Sequence, residues 1–156
     1  MKILIDDARP QRVEHALAVF PLLGVTTNPT ILRAAEPSDF ASDLARLRGL
    51  VGERDLHVQV VARDTDGMLR EARVIRRIAG ERTLVKIPTT AAGLPAITAL
   101  KAQGVRVTAT AVYSTAQGLL AAAVRSATGG TMEEVADEAR AALTPKLTAL
   151  GPEPCA

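Results

Sequence analysis

The feature that most constrains this chain is its regular alternation of short β-branched runs with longer helical patterns. Candidate strands are Lys2–Ile5, Gly24–Thr26, Leu56–Val61, Leu84–Ile87 and Val105–Thr108. Each reads as apolar on both faces, which predicts a parallel sheet covered on both sides. Between them lie helical patterns. Pro10–Phe20 begins with a proline suited to a first turn. Asp39–Leu50 sets Phe40, Leu44, Leu47 and Leu50 on one face, and Thr65–Ala79 turns Met68, Leu69, Ala72, Ile75 and Ala79 inward. Arg63, Arg70, Arg73, Arg76 and Arg77 then form a solvated set. Ala91–Gln103 stops at Gly104, a C-terminal cap. Ser114–Val124 is rich in alanine and leucine.

A repeated βα unit with right-handed crossovers closes into a barrel or opens into a doubly wound sheet. No Gly-x-Gly-x-x-Gly or Walker-type loop follows any strand, so the barrel is the better architecture. The expectation is therefore an α/β fold of the (β/α) TIM-barrel type. A complete barrel takes about 200 residues or more. The 156 residues here predict an incomplete one, with about five parallel strands in residues 1–124. Residues 125–156 read as a divergent C-terminal helix and tail. There Thr131-Met132-Glu133-Glu134 forms a capping box that opens a helix to about Leu143. Leu147–Leu150 reads as a short strand before Gly151-Pro152-Glu153-Pro154.

Composition excludes several classes. A hydrophobic content of 47% rules out disorder, and the lone cysteine, Cys155, rules out a disulfide scaffold. Net charge is only +2, and the aromatics are Phe20, Phe40 and Tyr113, so neither a basic face nor a base-stacking platform for nucleic acid is expected. Val107–Val124 carries no charge but contains Thr108, Thr110, Tyr113, Ser114, Thr115 and Gln117; it reads as a strand and a helix, not a membrane span. Met1-Lys2 leads straight into a strand, without signal-peptide character, and the default compartment is the cytoplasm. No Cys, His and carboxylate spacing suggests a metal site. His15 and His57 are isolated and fit surface or core roles.

In a β/α barrel the reactive groups sit at the C-terminal ends of strands. Those ends supply Asp6, Thr26, Thr27, Asn28, Gln59, Lys86, Thr108 and Thr110. Lys86, inside Leu-Val-Lys-Ile-Pro, stands out. Desolvated, its amine is the nucleophile that attacks a carbonyl; on an edge strand, it is an ammonium in water. Asp6 is a general acid/base partner or a cap before Pro10. Gln59 has an interior amide with a structural or a catalytic hydrogen bond. Asn28, before Pro29, is a usual turn residue.

Three segments together carry a resemblance: Phe20-Pro-Leu-Leu-Gly-Val-Thr-Thr-Asn-Pro-Thr30, Leu84-Val-Lys-Ile-Pro88 with Gly93-Leu94, and Thr110-Ala-Val-Tyr-Ser-Thr-Ala-Gln-Gly-Leu-Leu120. In this order and spacing the chain resembles the small transaldolases, in particular their fructose-6-phosphate aldolase branch, from Met1 to about Val124. The resemblance implies an α/β barrel whose lysine, matched by Lys86, forms a Schiff base. Asp6 matches the first-strand carboxylate that moves protons at the hydroxyl next to the cleaved bond. Thr26 and Asn28 match positions that orient Asp6 and bond the donor's hydroxyls. Gln59 stands where transaldolases carry glutamate and the aldolase branch glutamine. In that branch the glutamine, a threonine matching Thr110 and a sixth-strand tyrosine hold a catalytic water.

The implied activity is a class I aldolase that cleaves or forms fructose 6-phosphate, or a similar ketose, from dihydroxyacetone and an aldehyde. It implies a sugar or sugar-phosphate partner, no cofactor and no metal, and a homo-oligomer. The alternatives are an inactive or partner-dependent fragment and, against Gln59, a transaldolase. After Val124 neither the family's Pro-Tyr-Val-type segment nor its phosphate-contacting arginine has a counterpart, and Tyr113 belongs to the fifth-strand motif.

Overall fold

A computed structural model describes residues 3–35 and 39–126. The elements alternate as β1 (Leu4–Asp6), α1 (Pro10–Val19), β2 (Gly24–Thr26), α2 (Pro29–Ala34), α3 (Phe40–Val51), β3 (Asp55–Gln59), α4 (Thr65–Ala79), β4 (Leu84–Pro88), α5 (Gly93–Ala102), β5 (Val107–Thr110) and α6 (Thr115–Ser126). The five strands are parallel and lie in the order β1-β2-β3-β4-β5. That order decides the architecture. Every crossover steps the same way, so right-handed connections stack all helices on one face, as in a barrel wall; a doubly wound sheet reverses direction.

Local chemistry explains the elements. Pro10 and Pro29 open α1 and α2, where a missing N–H costs nothing. Asn28, Asp39 and Asp64 cap α2, α3 and α4 by accepting from the N–H groups of Ile31, Ser42 and Gly67 at 2.9, 2.9 and 2.8 Å. Gly104 follows α5 at φ 72, the left-handed position that glycine takes without a Cβ penalty. Gly24 allows β2 to approach β3: a Cβ there would lie 1.9 Å from the Asp55 carbonyl oxygen.

The core lies between the sheet and its helices. Val25, Leu56, Val58, Val85 and Ile87 point from β2, β3 and β4 into it, each fully buried. They meet Leu44, Val51, Met68, Ala72 and Ala96 from α3, α4 and α5. Each large aliphatic side chain so buried contributes about 1.5–3 kcal/mol.

Several expectations need correction. The strands are not apolar on both faces: the face away from the helices carries Asp6, Thr26, His57, Gln59, Lys86 and Thr108. Period-two alternation hides these among the aliphatics of the opposite face. Phe40, the first residue of α3, is 45% exposed, and Val51 rather than Leu50 completes the buried stripe, because Leu44, Leu47 and Val51 follow the i, i+3, i+7 spacing of one helix face. Helix α2 has no counterpart among the expected helices; Pro29 and the Asn28 cap start it. Strand β1 includes Asp6, and β5 begins at Val107 and ends at Thr110. The uncharged run from Val107 is indeed a strand and a helix. The expected helix from Thr131 and strand at Leu147–Leu150 lie outside the described residues, as does the 125–156 tail beyond the end of α6.

Candidate active site

Lys86 sits in the middle of β4, with β3 and β5 paired on either side, so it is not an edge lysine. Its side chain emerges on the helix-free face and is 9% exposed. The Nζ donates to the Thr26 hydroxyl at 2.9 Å and to the Thr27 carbonyl at 2.8 Å. Both acceptors are on the β2 end, so the lysine reaches over β3. The Thr27 carbonyl is in turn fixed, because Thr27 donates from its N–H and its hydroxyl to the His57 carbonyl at 2.9 and 3.0 Å. Burial pushes the Lys86 amine below its ordinary value, while the charge of Asp6 pulls the other way.

Two further pairs also span an intervening strand on this face. His57 Nδ1 meets the Thr108 hydroxyl at 2.8 Å, and Arg106 donates to Asp55 at 2.8 Å. Strands two apart in a flat sheet are separated by about 9–10 Å. Three side-chain bridges over that gap line a concave surface, the inner face of a barrel segment.

The register places the other candidates. Asp6, the exposed last residue of β1, pairs with Thr26; Gln59 pairs with Lys86, which pairs with Thr108. Thr110 pairs with Pro88, one step above the lysine. Thr26, Asp6 and Gln59, at the C-terminal ends of β1 to β3, thus share one neighbourhood with Lys86 in the middle of β4. The Asn28 carbonyl oxygen is taken by the α2 cap, which leaves its amide NH2 for other partners. The turn before Pro10 is held by Asp7, not Asp6, and α1 has no side-chain cap. Asp7 Oδ1 accepts from the N–H groups of Ala8 and Arg9 at 2.8 and 3.0 Å, and Oδ2 pairs with Arg9 at 2.6 Å. The Arg9 guanidinium holds the Asp7 carboxyl well below the usual carboxylate range.

Of the surface and core roles that the sequence offers His57, the structure selects the core. His57 is 8% exposed, its Nε2 has no hydrogen-bond partner among the described residues, and burial pushes the imidazole below its ordinary value. The signal was present in Leu56-His57-Val58-Gln59-Val60: His57 is two residues before Gln59 and therefore faces the same way.

Cavities frame the site. A groove of about 450 Å³ opens beyond β3 and β4, lined by Gln59, Arg63, Pro88 and Thr90. A larger one of about 810 Å³ lies among α2, α3 and α4, against Leu32, Phe40, Leu47 and Val74. Gln59 lines both, whereas Lys86 lines neither. No cluster of three or more His, Cys, Asp or Glu able to hold a metal occurs among the described residues. No described helix is long and apolar enough to cross a membrane.

Residues 3–136 match the family described as Transaldolase/Fructose-6-phosphate aldolase. A curated relative, the "Probable fructose-6-phosphate aldolase" of Streptococcus pneumoniae (strain ATCC 700669 / Spain 23F-1), is 41% identical over 122 residues, which cover 78% of this chain. The chain spans 55% of the length of that relative. With a parallel, singly wound sheet and a buried lysine on its concave face, the chain belongs to the transaldolase/fructose-6-phosphate aldolase family.

Proposed function

We propose that this chain carries the imine-forming half of a class I aldolase site, in which Lys86 attacks the ketone of dihydroxyacetone or of a ketose such as fructose 6-phosphate. The observation that carries this reading is the cradle of Lys86: a buried amine, lowered in basicity by burial and aimed by Thr26 and the Thr27 carbonyl. A neutral amine adds to the carbonyl carbon, and loss of water from the carbinolamine leaves a cationic iminium.

The iminium is an electron sink. In the cleavage direction a base removes the proton of the hydroxyl beside the scissile carbon–carbon bond. That bond's electrons flow to the iminium, an aldehyde leaves and an enamine remains on Lys86. Protonation of the enamine carbon and addition of water release dihydroxyacetone and restore the amine. Asp6, exposed beside Thr26, is the carboxylate within this neighbourhood for the proton transfer. Gln59 cannot ionise, so its role is to hold a water, with Thr110 as a second hydroxyl; this favours aldol cleavage over transaldolase chemistry. Thr26 and the Asn28 amide NH2 bond the donor's hydroxyls. A sugar or sugar phosphate in the cytoplasm, a homo-oligomer and freedom from metal or organic cofactor complete the reading.

The test is covalent trapping. The full chain is incubated with dihydroxyacetone and borohydride and weighed. An added mass of the reduced adduct, absent in Lys86→Ala, is the expected result. A folded sample that gains no mass overturns the proposal and leaves the inactive or partner-dependent fragment as the reading.

A further inference from the structure

The concave face buries one titratable group that this mechanism does not use, the imidazole of His57. Its main-chain carbonyl anchors Thr27, whose own carbonyl accepts from Lys86. Its side chain bonds Thr108, the register neighbour of Lys86 on β5. On the other side its register neighbour is Thr26, the second acceptor of the Lys86 amine. His57 therefore touches the residues that bound Lys86 on both flanks. Its Nε2 is buried and without a hydrogen-bond partner among the described residues, an expensive arrangement for a residue that only fills space.

We propose that His57 is a positioning residue for Lys86: as a neutral imidazole it closes the cradle from below through Thr108, while its main-chain carbonyl holds Thr27. This rests on the imine reading of Lys86. The charged groups that act on His57 are Asp55 on β3, Lys86 on β4 and Arg106 just before β5. Asp55 favours the imidazolium, whereas Lys86, Arg106 and above all burial oppose it. Protonation would place a second cation beside the iminium on Lys86. Imine formation then depends on two deprotonations, that of the lysine and that of the histidine.

Trapping of dihydroxyacetone by cyanoborohydride is followed from pH 5 to pH 9 in the wild type, His57→Phe and His57→Gln. The wild-type rate falls on the acid side with a slope approaching two on a log scale. His57→Phe, which keeps the ring but loses the Thr108 bond, traps about tenfold more slowly at pH 8, and its acid slope is one. His57→Gln, which bonds Thr108 without titrating, recovers rate over the phenylalanine variant and also has a slope of one. Wild-type rate and slope in both variants would overturn the proposal.

A second measurement does not depend on turnover. His15 is exposed on α1, and with His57 it makes the two histidines of the chain, so His15→Gln assigns the ring signals in an NMR titration. Lys86→Met, which removes a charge that opposes the imidazolium, should raise the His57 midpoint. An unmoved midpoint would overturn the coupling. A wild-type chain that traps nothing, with the midpoint still shifted, would sink the aldolase reading while leaving the His57–Lys86 relationship standing.

Discussion

The amine of Lys86 on β4 donates to the hydroxyl of Thr26 on β2 at 2.9 Å, joining strands that are not neighbours and residues sixty positions apart. The contact requires the sheet to curve toward its helix-free face. It also brings the amine within the influence of the Asp6 charge, because Asp6 and Thr26 are register partners. Curvature of the barrel wall is thus what brings the amine and the carboxylate into one site.

Asp6→Asn separates imine formation from bond cleavage. The asparagine cannot accept a proton, and general acid–base assistance is worth about 10²–10⁴-fold. Cleavage of fructose 6-phosphate, followed by aldehyde release, should fall by at least about a hundredfold. Borohydride trapping of dihydroxyacetone should remain within a few fold of the wild type. Loss of both activities together would place Asp6 in imine formation.

Lys86 also gives the protein a pH-dependent stability. Burial holds its pKa below the ordinary 10.5, so between the two values the unfolded chain binds the proton more tightly. The penalty for the buried ammonium is complete below the folded-state pKa and is relieved as pH rises toward 10.5. Thermal melts of the wild type and Lys86→Met, compared at pH 7 and pH 10, should show the wild type gaining about 3 °C relative to the variant. A difference that does not change with pH would mean that Lys86 has an ordinary pKa in the folded chain.

Asp7 works in the opposite direction. Its folded-state pKa is depressed by Arg9, so its contribution is present above its ordinary 3.8 and is lost as pH falls below it. Asp7→Asn keeps an oxygen for the Ala8 and Arg9 N–H groups but loses the charged pair. Denaturant unfolding should show a loss of about 1–3 kcal/mol at pH 7. The gap between variant and wild type should narrow below pH 3.8.

Two backbone positions predict effects of opposite sign. Gly24→Ala puts a Cβ 1.9 Å from the Asp55 carbonyl oxygen, which parts β2 from β3 at the start of their pairing. A loss above about 3 kcal/mol, or failure to fold, is expected. Ala111, in the turn after β5, sits at φ 55, where an L-residue is disfavoured. Ala111→Gly relieves that strain and should raise stability by about 0.5–1 kcal/mol in the same unfolding assay.

Much of the fold is legible in single residues. Pro10 and Gly104 mark helix ends through chemistry that is local to the chain, and Thr65–Ala79 is a helix with those very bounds because its apolar repeat is long and unbroken. Phe40 sits at helical spacing that resembles core, whereas the first turn of α3 carries it to the surface. Helix α2 was too short to leave a period. Asp6 and Asp7 are indistinguishable as letters; the one at the strand end faces the site, and its neighbour caps the turn. His57 looked isolated because its partners, Thr27 and Thr108, are remote in sequence.

The sequence by itself determined the βα rhythm, the parallel sheet and the family, since each is written in local periodicity or in contiguous motifs. Tertiary structure alone decided which face of the sheet is polar, that Lys86 is interior and reaches over β3 to Thr26, and that His57 lies beneath it. The physical reason is that strand pairing and sheet curvature bring together side chains from turns of chain that share no local pattern, and the burial that shifts Lys86 and His57 exists only once those strands have met.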